Sequence, residues 1–260
     1  MRGKALIGGL RALIRRAGID VVRYTPAQGR GLPPDFDPET ARVFDLVQPY
    51  TLTTPERIFA LCAAVRYIVR AGVPGDIVEC GVWRGGSMMA AAYTLRDVGD
   101  VGRRLVLFDT FEGMSPPDQR DVSYTNEPAA DRLARSSRAD PRSVWAYAPL
   151  EDVRANMAST GYPTGQIAYV PGKVEETIPT AAPGQIALLR LDTDWYVSTR
   201  HELEHLFPRI APGGVLIVDD YGHWRGARQA LDEYLAAHGV QLLLNRIDYT
   251  GRIAVIPPQR

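Results

Sequence analysis

From residue 76 onward, short apolar runs alternate with stretches that carry helical spacing. The runs DIVECG (76–81), RLVLFD (104–109), IAYVP (167–171), IALLRLD (186–192), GVLIVDD (214–220), VQLLLNRI (240–247) and GRIAVI (251–256) predict seven strands. Segments 55–71, 86–97, 149–159, 198–210 and 224–238 predict the intervening helices. Strands that are apolar throughout, rather than on alternate residues, belong to a parallel sheet covered on both faces. Only Asp248, Tyr249 and Thr250 join the last two runs. A link that short predicts an antiparallel hairpin at one edge. The expected fold is a doubly wound α/β domain with a seven-stranded, mostly parallel sheet.

Two regions fall outside this alternation. Residues 1–40 form an N-terminal appendage ahead of a main domain at 41–260. In it, Leu6, Leu10, Leu13 and Ala17 make an apolar stripe on a basic helix, and the Gly/Pro-rich linker GRGLPPDFDP (29–38) follows. Such a helix packs on the domain or on a partner subunit rather than on a membrane. The stretch 110–148 is polar, contains prolines and is weakly periodic, as lids and substrate-binding segments often are.

Composition narrows the function by exclusion. Lys plus Arg and Asp plus Glu both number 30, so no net charge draws the chain to nucleic acid or to an anionic membrane. Residues 1–30 carry seven basic side chains against Asp20, which leaves the remainder about six charges negative and suited to gathering a cation. Two cysteines, Cys62 and Cys80, exclude a disulfide scaffold and point to a reducing cytoplasm. No apolar run reaches the roughly 18 residues that span a bilayer. Glycines and arginines at 8–16 interrupt any signal-peptide core.

In a doubly wound sheet, ligands bind beyond the carboxyl ends of the strands where strand order reverses. The first strand ends in VECGVWRGGS (78–87), whose Gly81, Gly85 and Gly86 let a backbone approach a ligand closely. The second ends in Asp109, a carboxylate suited to two ribose hydroxyls. The glycine pattern departs from the dinucleotide fingerprint G-x-G-x-x-G, and Glu79 would repel a pyrophosphate but welcome an ammonium. This combination suits S-adenosylmethionine better than a nicotinamide dinucleotide. The fourth strand ends in Asp192 and Asp194, and the fifth in Asp219 and Asp220. So many carboxylates at neighbouring strand ends call for a cation, and all-oxygen ligands point to Mg²⁺. The competing reading is that these acids cap the helices that follow.

Two further motifs are set aside. HELEH (201–205) matches the H-E-x-x-H zinc pattern, but His201 and His205 fall opposite the stripe Leu203, Leu206, Phe207 and Ile210, on the solvent face. Cys80 lies in the first turn with no base beside it, so it is no nucleophile.

The runs GVPGDIVECGVWRGGSMMAAA, FDTFEGM, GKVEETIP and LDTDWYVSTRHELEHLFPRIAPGGVLIVDDYGHWRGAR together resemble the macrocin O-methyltransferase family, in order, over roughly residues 50–258. The resemblance implies a class I methyltransferase (Rossmann-like) fold, adenosylmethionine as donor, Mg²⁺ dependence and a homo-oligomer. It also implies a glycosylated natural product, such as a macrolide sugar, as acceptor. Carried onto these residues, it puts Glu79, Cys80, Gly81 and Ser87 at the methionine end of the donor, and Asp109 and Phe111 at the ribose. Gly172, Lys173 and Val174 would border the adenine. Asp192, Asp219 and Asp220 would hold the metal, with Asp192 also the general base, His223 a second candidate for that role, and Asp194 close enough to exchange with Asp192. A catechol-type O-methyltransferase and a non-catalytic adenosylmethionine-binding protein are the alternatives.

Overall fold

The computed structural model describes residues 32–140 and 143–257. The amphipathic N-terminal helix expected above lies outside these residues. The compact unit that carries the sheet begins at Phe36.

Helix α1 (Pro38–Val47) opens this unit, ahead of the helix expected at 55–71. Its start is chemically marked, since Asp37 accepts the Thr40 N–H at 2.8 Å and Pro38 occupies the first turn. Helix α2 (Pro55–Arg70) follows, capped by Thr54, and turns Ile58, Leu61, Val65 and Ile68 inward. Strand β1 (Asp76–Cys80) leads through a glycine turn into α3 (Gly86–Asp97), and β2 (Leu105–Asp109) pairs parallel to β1.

The stretch after β2 is not structureless. It carries α4 (Ala129–Arg135) and ends at α5 (Leu150–Ser159). Ala129 and Leu133 of α4 join Trp195, Trp224 and Ala227 in a small apolar cluster of their own. That cluster anchors the polar segment over the carboxyl end of the sheet.

Strand β3 (Ile167–Pro171), the single turn α6 (Val174–Thr177), β4 (Ile186–Leu191), α7 (Tyr196–Leu206) and β5 (Ile210–Val218) complete the parallel part. Helix α8 (Arg225–Ala237) then leads to β6 (Asn245–Arg246) and β7 (Arg252–Val255). The order across the sheet is β3-β2-β1-β4-β5-β7-β6, with β7 antiparallel to both neighbours and every other pair parallel. The seven-stranded class I methyltransferase architecture is therefore present, and strand order reverses between β1 and β4.

Two strands differ from their sequence-based extents. The hydrogen-bonded part of 240–247 shrinks to Asn245–Arg246, although Leu242 and Leu244 still pack on the core. Alternation of apolar residues reports which side is buried, not whether a neighbour's backbone is in reach. Strand β5 instead starts earlier, at Ile210, which pairs with Ile186 before a register irregularity that resumes at Val215 opposite Leu188. Among the described residues no helix is long and apolar enough to cross a membrane.

Candidate active site

The carboxyl ends of β1 and β4 border a cavity of about 300 Å³. On the β1 side, Gly81 has φ +82°, and a Cβ built there would lie 2.0 Å from the carbonyl oxygen of Asp192. Only glycine lets the β1 turn press against the β4 end this closely. Backbone bonds fix the join, with Asp192 N–H donating to the Cys80 carbonyl at 2.8 Å and Gly81 N–H to that of Phe108 at 2.9 Å.

Asp109 organises the same turn from β2. Its Oδ2 accepts the N–H groups of Val82 (2.6 Å) and Trp83 (3.0 Å), and its Oδ1 accepts that of Phe111 (2.7 Å). Burial pushes its carboxyl up, while these backbone donors pull it down. Thr110 Oγ1 makes a fourth, long contact to Oδ1 at 3.5 Å, so of the roughly four acceptor positions only this weakly held one is open to exchange for a ribose hydroxyl. Trp83 and Phe111 both hold positive φ, at 48° and 54°, strain that such a turn sustains only when its surroundings enforce it.

The donor-side residues read from the sequence divide into two groups. Gly81, Ser87, Asp109, Gly172, Lys173 and Val174 line the cavity. Glu79, Cys80 and Phe111 do not. Cys80 turns its thiol into the apolar core, where burial raises it well above its usual range. Phe111 is buried and contributes its backbone to Asp109. Glu79 lies fully buried behind the wall, where its Oε1 accepts from Arg190 Nη1 at 2.6 Å and its Oε2 has no hydrogen-bond partner. Burial pushes Glu79 up to about 7 despite that arginine.

On the opposite side, β4 and β5 deliver the acidic rim. Asp192, Asp194 and Asp220 bring one oxygen each within 4.8 Å of the others. Asp219 takes a different position, bonded by Arg190 Nη2 at 2.7 Å and by Arg57 Nη1. The sequence-based trio of Asp192, Asp219 and Asp220 thus splits, with Asp194 in the cluster and Asp219 among the arginines. Asp194 reaches its place through φ +67°, a conformation that costs a non-glycine residue of order 1–3 kcal/mol. Its carboxyl stands beside that of Asp220, the two oxygens within 4.8 Å. Burial, then Asp192 and Asp219, push Asp194 up to about 7. Burial likewise raises Asp192 and Asp220 well above the usual carboxylate range.

Helix capping does not account for these acids. The N-caps of α7 and α8 are Trp195 and Trp224, neither making a side-chain cap bond. The first N–H of α7, on Tyr196, goes instead to Asp121 Oδ1 at 2.8 Å. Asp121 belongs to the polar segment, and Gly226 leaves room for it, since a Cβ there would meet the same oxygen at 2.0 Å.

Two arginines complete the electrostatics, and both escaped the sequence reading. Arg190 is 3 % exposed and holds Glu79, Asp192 (Oδ2, 2.8 Å) and Asp219 together. Arg57, from α2, bridges Asp219 to Asp248 of the β6–β7 turn. A lone charge inside the apolar run IALLRL was a legible signal for Arg190. Arg57 stands 162 positions from Asp219 and left no local trace.

His223 also lines the cavity, but both ring nitrogens are engaged. Arg132 Nη1 lies 3.2 Å from Nε2, and the Tyr249 hydroxyl lies 3.2 Å from Nδ1. An arginine can only donate, so Nε2 accepts and Nδ1 carries the hydrogen. Burial and the charges of Arg132 and Arg57 lower the His223 pKa. His223→Gln is therefore expected to lower kcat/KM by less than about tenfold, whereas loss of a general base costs roughly 10²–10⁴. Steady-state kinetics of that variant checks it.

HELEH supplies no metal site. His201 donates from Nε2 to the Ile178 carbonyl at 2.9 Å, and its ring lies 4.4 Å from that of His205. Both histidines are partly covered rather than solvent-facing, because the segment after α6 lies across this helix. Glu202 between them is fully buried, accepting from Thr193 Oγ1 at 2.9 Å.

Comparison with known proteins identifies the family. The family described as Macrocin-O-methyltransferase (TylF) matches residues 40–254. An 8-demethyl-8-(2,3-dimethoxy-alpha-L-rhamnosyl)-tetracenomycin-C 4'-O-methyltransferase of Streptomyces olivaceus is 39% identical over 219 residues, covering 84% of this chain and 80% of the relative. A mycinamicin III 3''-O-methyltransferase of Micromonospora griseorubida is 33% identical over 208 residues, 78% of this chain and 76% of its own. Among solved structures, the O-methyltransferase NovP is similar with a TM-score of 0.68 at 31% identity, covering 80% of this chain and 82% of that one.

Proposed function

Because the chain belongs to the macrocin O-methyltransferase family, we propose that it methylates a sugar hydroxyl of a glycosylated natural product, with Mg²⁺ at the acidic rim. O-methyl transfer from S-adenosylmethionine follows from family membership. The sugar acceptor is inferred from relatives whose names specify a rhamnosyl 4' position and a mycinamicin 3'' position. The observation that carries the reading is the contact of the Gly81 turn with Asp192, which sets a donor-type loop directly against the carboxylate cluster.

The rim residues fit a hard divalent cation. Three carboxylate oxygens converge within 4.8 Å, and burial holds all three carboxyls above their ordinary range, a cost that a cation among them would relieve. Asp192, Asp194 and Asp220 would hold the ion, with Asp219, the family-implied ligand, immediately behind them. Bound there, Mg²⁺ would supply Lewis acidity that lowers the pKa of an acceptor hydroxyl.

The chain's own groups account for the rest. Gly81 and Ser87 accommodate the methionine end, Asp109 the ribose, and Gly172, Lys173 and Val174 the adenine. Asp192, with Oδ2 held by Arg190, is the group assigned to receive the acceptor's proton. Neutral His223, fixed between Arg132 and Tyr249, shapes the acceptor wall. Incubation with labelled adenosylmethionine, Mg²⁺ and a panel of deoxysugar glycosides and simple catechols tests the reading. Label on a glycoside hydroxyl supports it, while label on catechols alone favours the catechol-type alternative.

A pH dependence follows. Glu79 and Asp194 are raised to about 7 from ordinary values of 4.5 and 3.8. A raised carboxyl favours the fold while protonated, and that contribution is lost as pH climbs from the unfolded value to the folded one. The metal-free protein should therefore lose thermal stability from about pH 4 to about pH 7, and Mg²⁺ should restore most at the upper end. Melting curves in EDTA and in Mg²⁺ check this, and identical pH profiles in the two would overturn it.

A further inference from the structure

Arg190 pairs with three carboxylates that come from three different strand ends. Its Nη1 spans Glu79 Oε1 on β1 (2.6 Å) and Asp192 Oδ2 beyond β4 (2.8 Å), while its Nη2 holds Asp219 Oδ1 beyond β5 (2.7 Å). One planar group thus joins the three strand ends that frame the cavity. A guanidinium fork is rigid, so a shift of any one carboxylate tilts the plane and is felt by the others. Glu79 depends on this arrangement, because it is 0 % exposed and its Oε2 has no partner to hold it otherwise. Two residues after Glu79 comes Gly81, the start of the donor-side turn.

We infer that Arg190 is a positioning residue that couples the two halves of the site, so that a divalent cation at the acidic rim tightens binding of an adenosyl ligand at the β1 turn. A cation that fixes Asp192 fixes the guanidinium, and the guanidinium fixes Glu79 and the end of β1. The adenosyl ligand then meets a turn already ordered and loses less in ordering it. Linkage makes the effect reciprocal, so the adenosyl ligand tightens the cation by the same factor. The inference rests on the donor and metal sites proposed above.

Adenosylhomocysteine is the suitable probe, since its uncharged sulfur removes direct repulsion between sulfonium and cation. Its dissociation constant is measured by calorimetry with the full chain, in EDTA and in saturating Mg²⁺. In the natural protein Mg²⁺ should tighten binding about fivefold or more. Arg190→Lys keeps the charge and loses the fork, so each ligand alone should still bind while the ratio falls to within about twofold of one. A group that served only as counter-ion would leave the ratio unchanged in this variant. Should Arg190→Lys not fold, Glu79→Gln carries the test, because it removes the charge that anchors the fork to β1 and should at least halve the ratio. A wild-type ratio in the folded variant overturns the coupling, as does independent binding of the two ligands to the natural protein, which leaves the proposed function intact. Failure of either ligand to bind the natural protein overturns the proposed function and the coupling with it.

Discussion

Gly81→Ala is expected to abolish adenosylhomocysteine binding and to destabilise the fold by roughly 3 kcal/mol or more. Two independent terms combine. The backbone at φ +82° disfavours any side chain, which costs of order 1–2 kcal/mol. The new Cβ would also lie 2.0 Å from the Asp192 carbonyl oxygen, and overpacking of this kind costs typically 1–3 kcal/mol. The obstacle is backbone on both sides, so no side chain can swing away to relieve it. The β1 turn must withdraw from the β4 end, breaking the bond from Asp192 N–H to Cys80. Denaturant unfolding reads the stability and calorimetry reads the ligand. Gly99→Ala is the control, because it shares positive φ, at 80°, but has nothing within 4 Å of the added atom. It should lose only the conformational part. Equal losses in the two variants would mean that the close approach at Gly81 carries no weight.

The second large effect concerns the rim. Asp192→Ala is expected to reduce kcat by about 10³-fold or more, since it removes the assigned proton acceptor and one ligand of the cation together. In EDTA its adenosylhomocysteine affinity should stay within a few-fold of normal, because the donor-side contacts persist. The neighbouring aspartates give a sharper comparison. Asp194→Ala removes a member of the converging trio, so Mg²⁺ binding should weaken by tenfold or more, about 1.4 kcal/mol per decade. Asp219→Ala leaves the trio but strips Arg57 and Arg190 of a shared partner, so its main expected loss is thermal stability. Should Asp219→Ala abolish Mg²⁺ binding while Asp194→Ala spares it, the ligand set is the family-implied one and the rim rearranges on loading.

How much of this was legible in the sequence depends on the type of signal. Strands β1, β2, β4 and β5 were readable because strands buried on both faces must be apolar throughout. Helix α1 was marked by Asp37 and Pro38, an N-cap followed by proline, yet these two close the Gly/Pro-rich run read as linker, and the helix after them went unread. Helix α4 was hidden because only Ala129 and Leu133 face inward, too few for a periodic stripe. Its partners, Trp195 and Trp224, come from far along the chain. The acids at the strand ends were found because strand ends are where such folds place chemistry. Their division was not, since it depends on Arg57 arriving from α2 and on Asp194 adopting a left-handed backbone. Glu79 shows the same limit, its position in the chain being plain while the arginine in front of it was not.

The β6–β7 turn supplies no proposed ligand for donor or metal, and by position it could pass for a dispensable tail. Asp248 contradicts that view, for it takes the Thr54 hydroxyl at 2.8 Å and the N–H groups of Thr250 and Gly251, and it meets Arg57, which in turn holds Asp219. A protease that nicked the chain in this turn, or an engineer who exchanged the last strands for those of a relative, would release Arg57 from one of its two anchors. Such a molecule would keep every predicted ligand and still lose the alignment of its acids. The hairpin must therefore travel with the active site in any chimera, however peripheral it looks on the edge of the sheet.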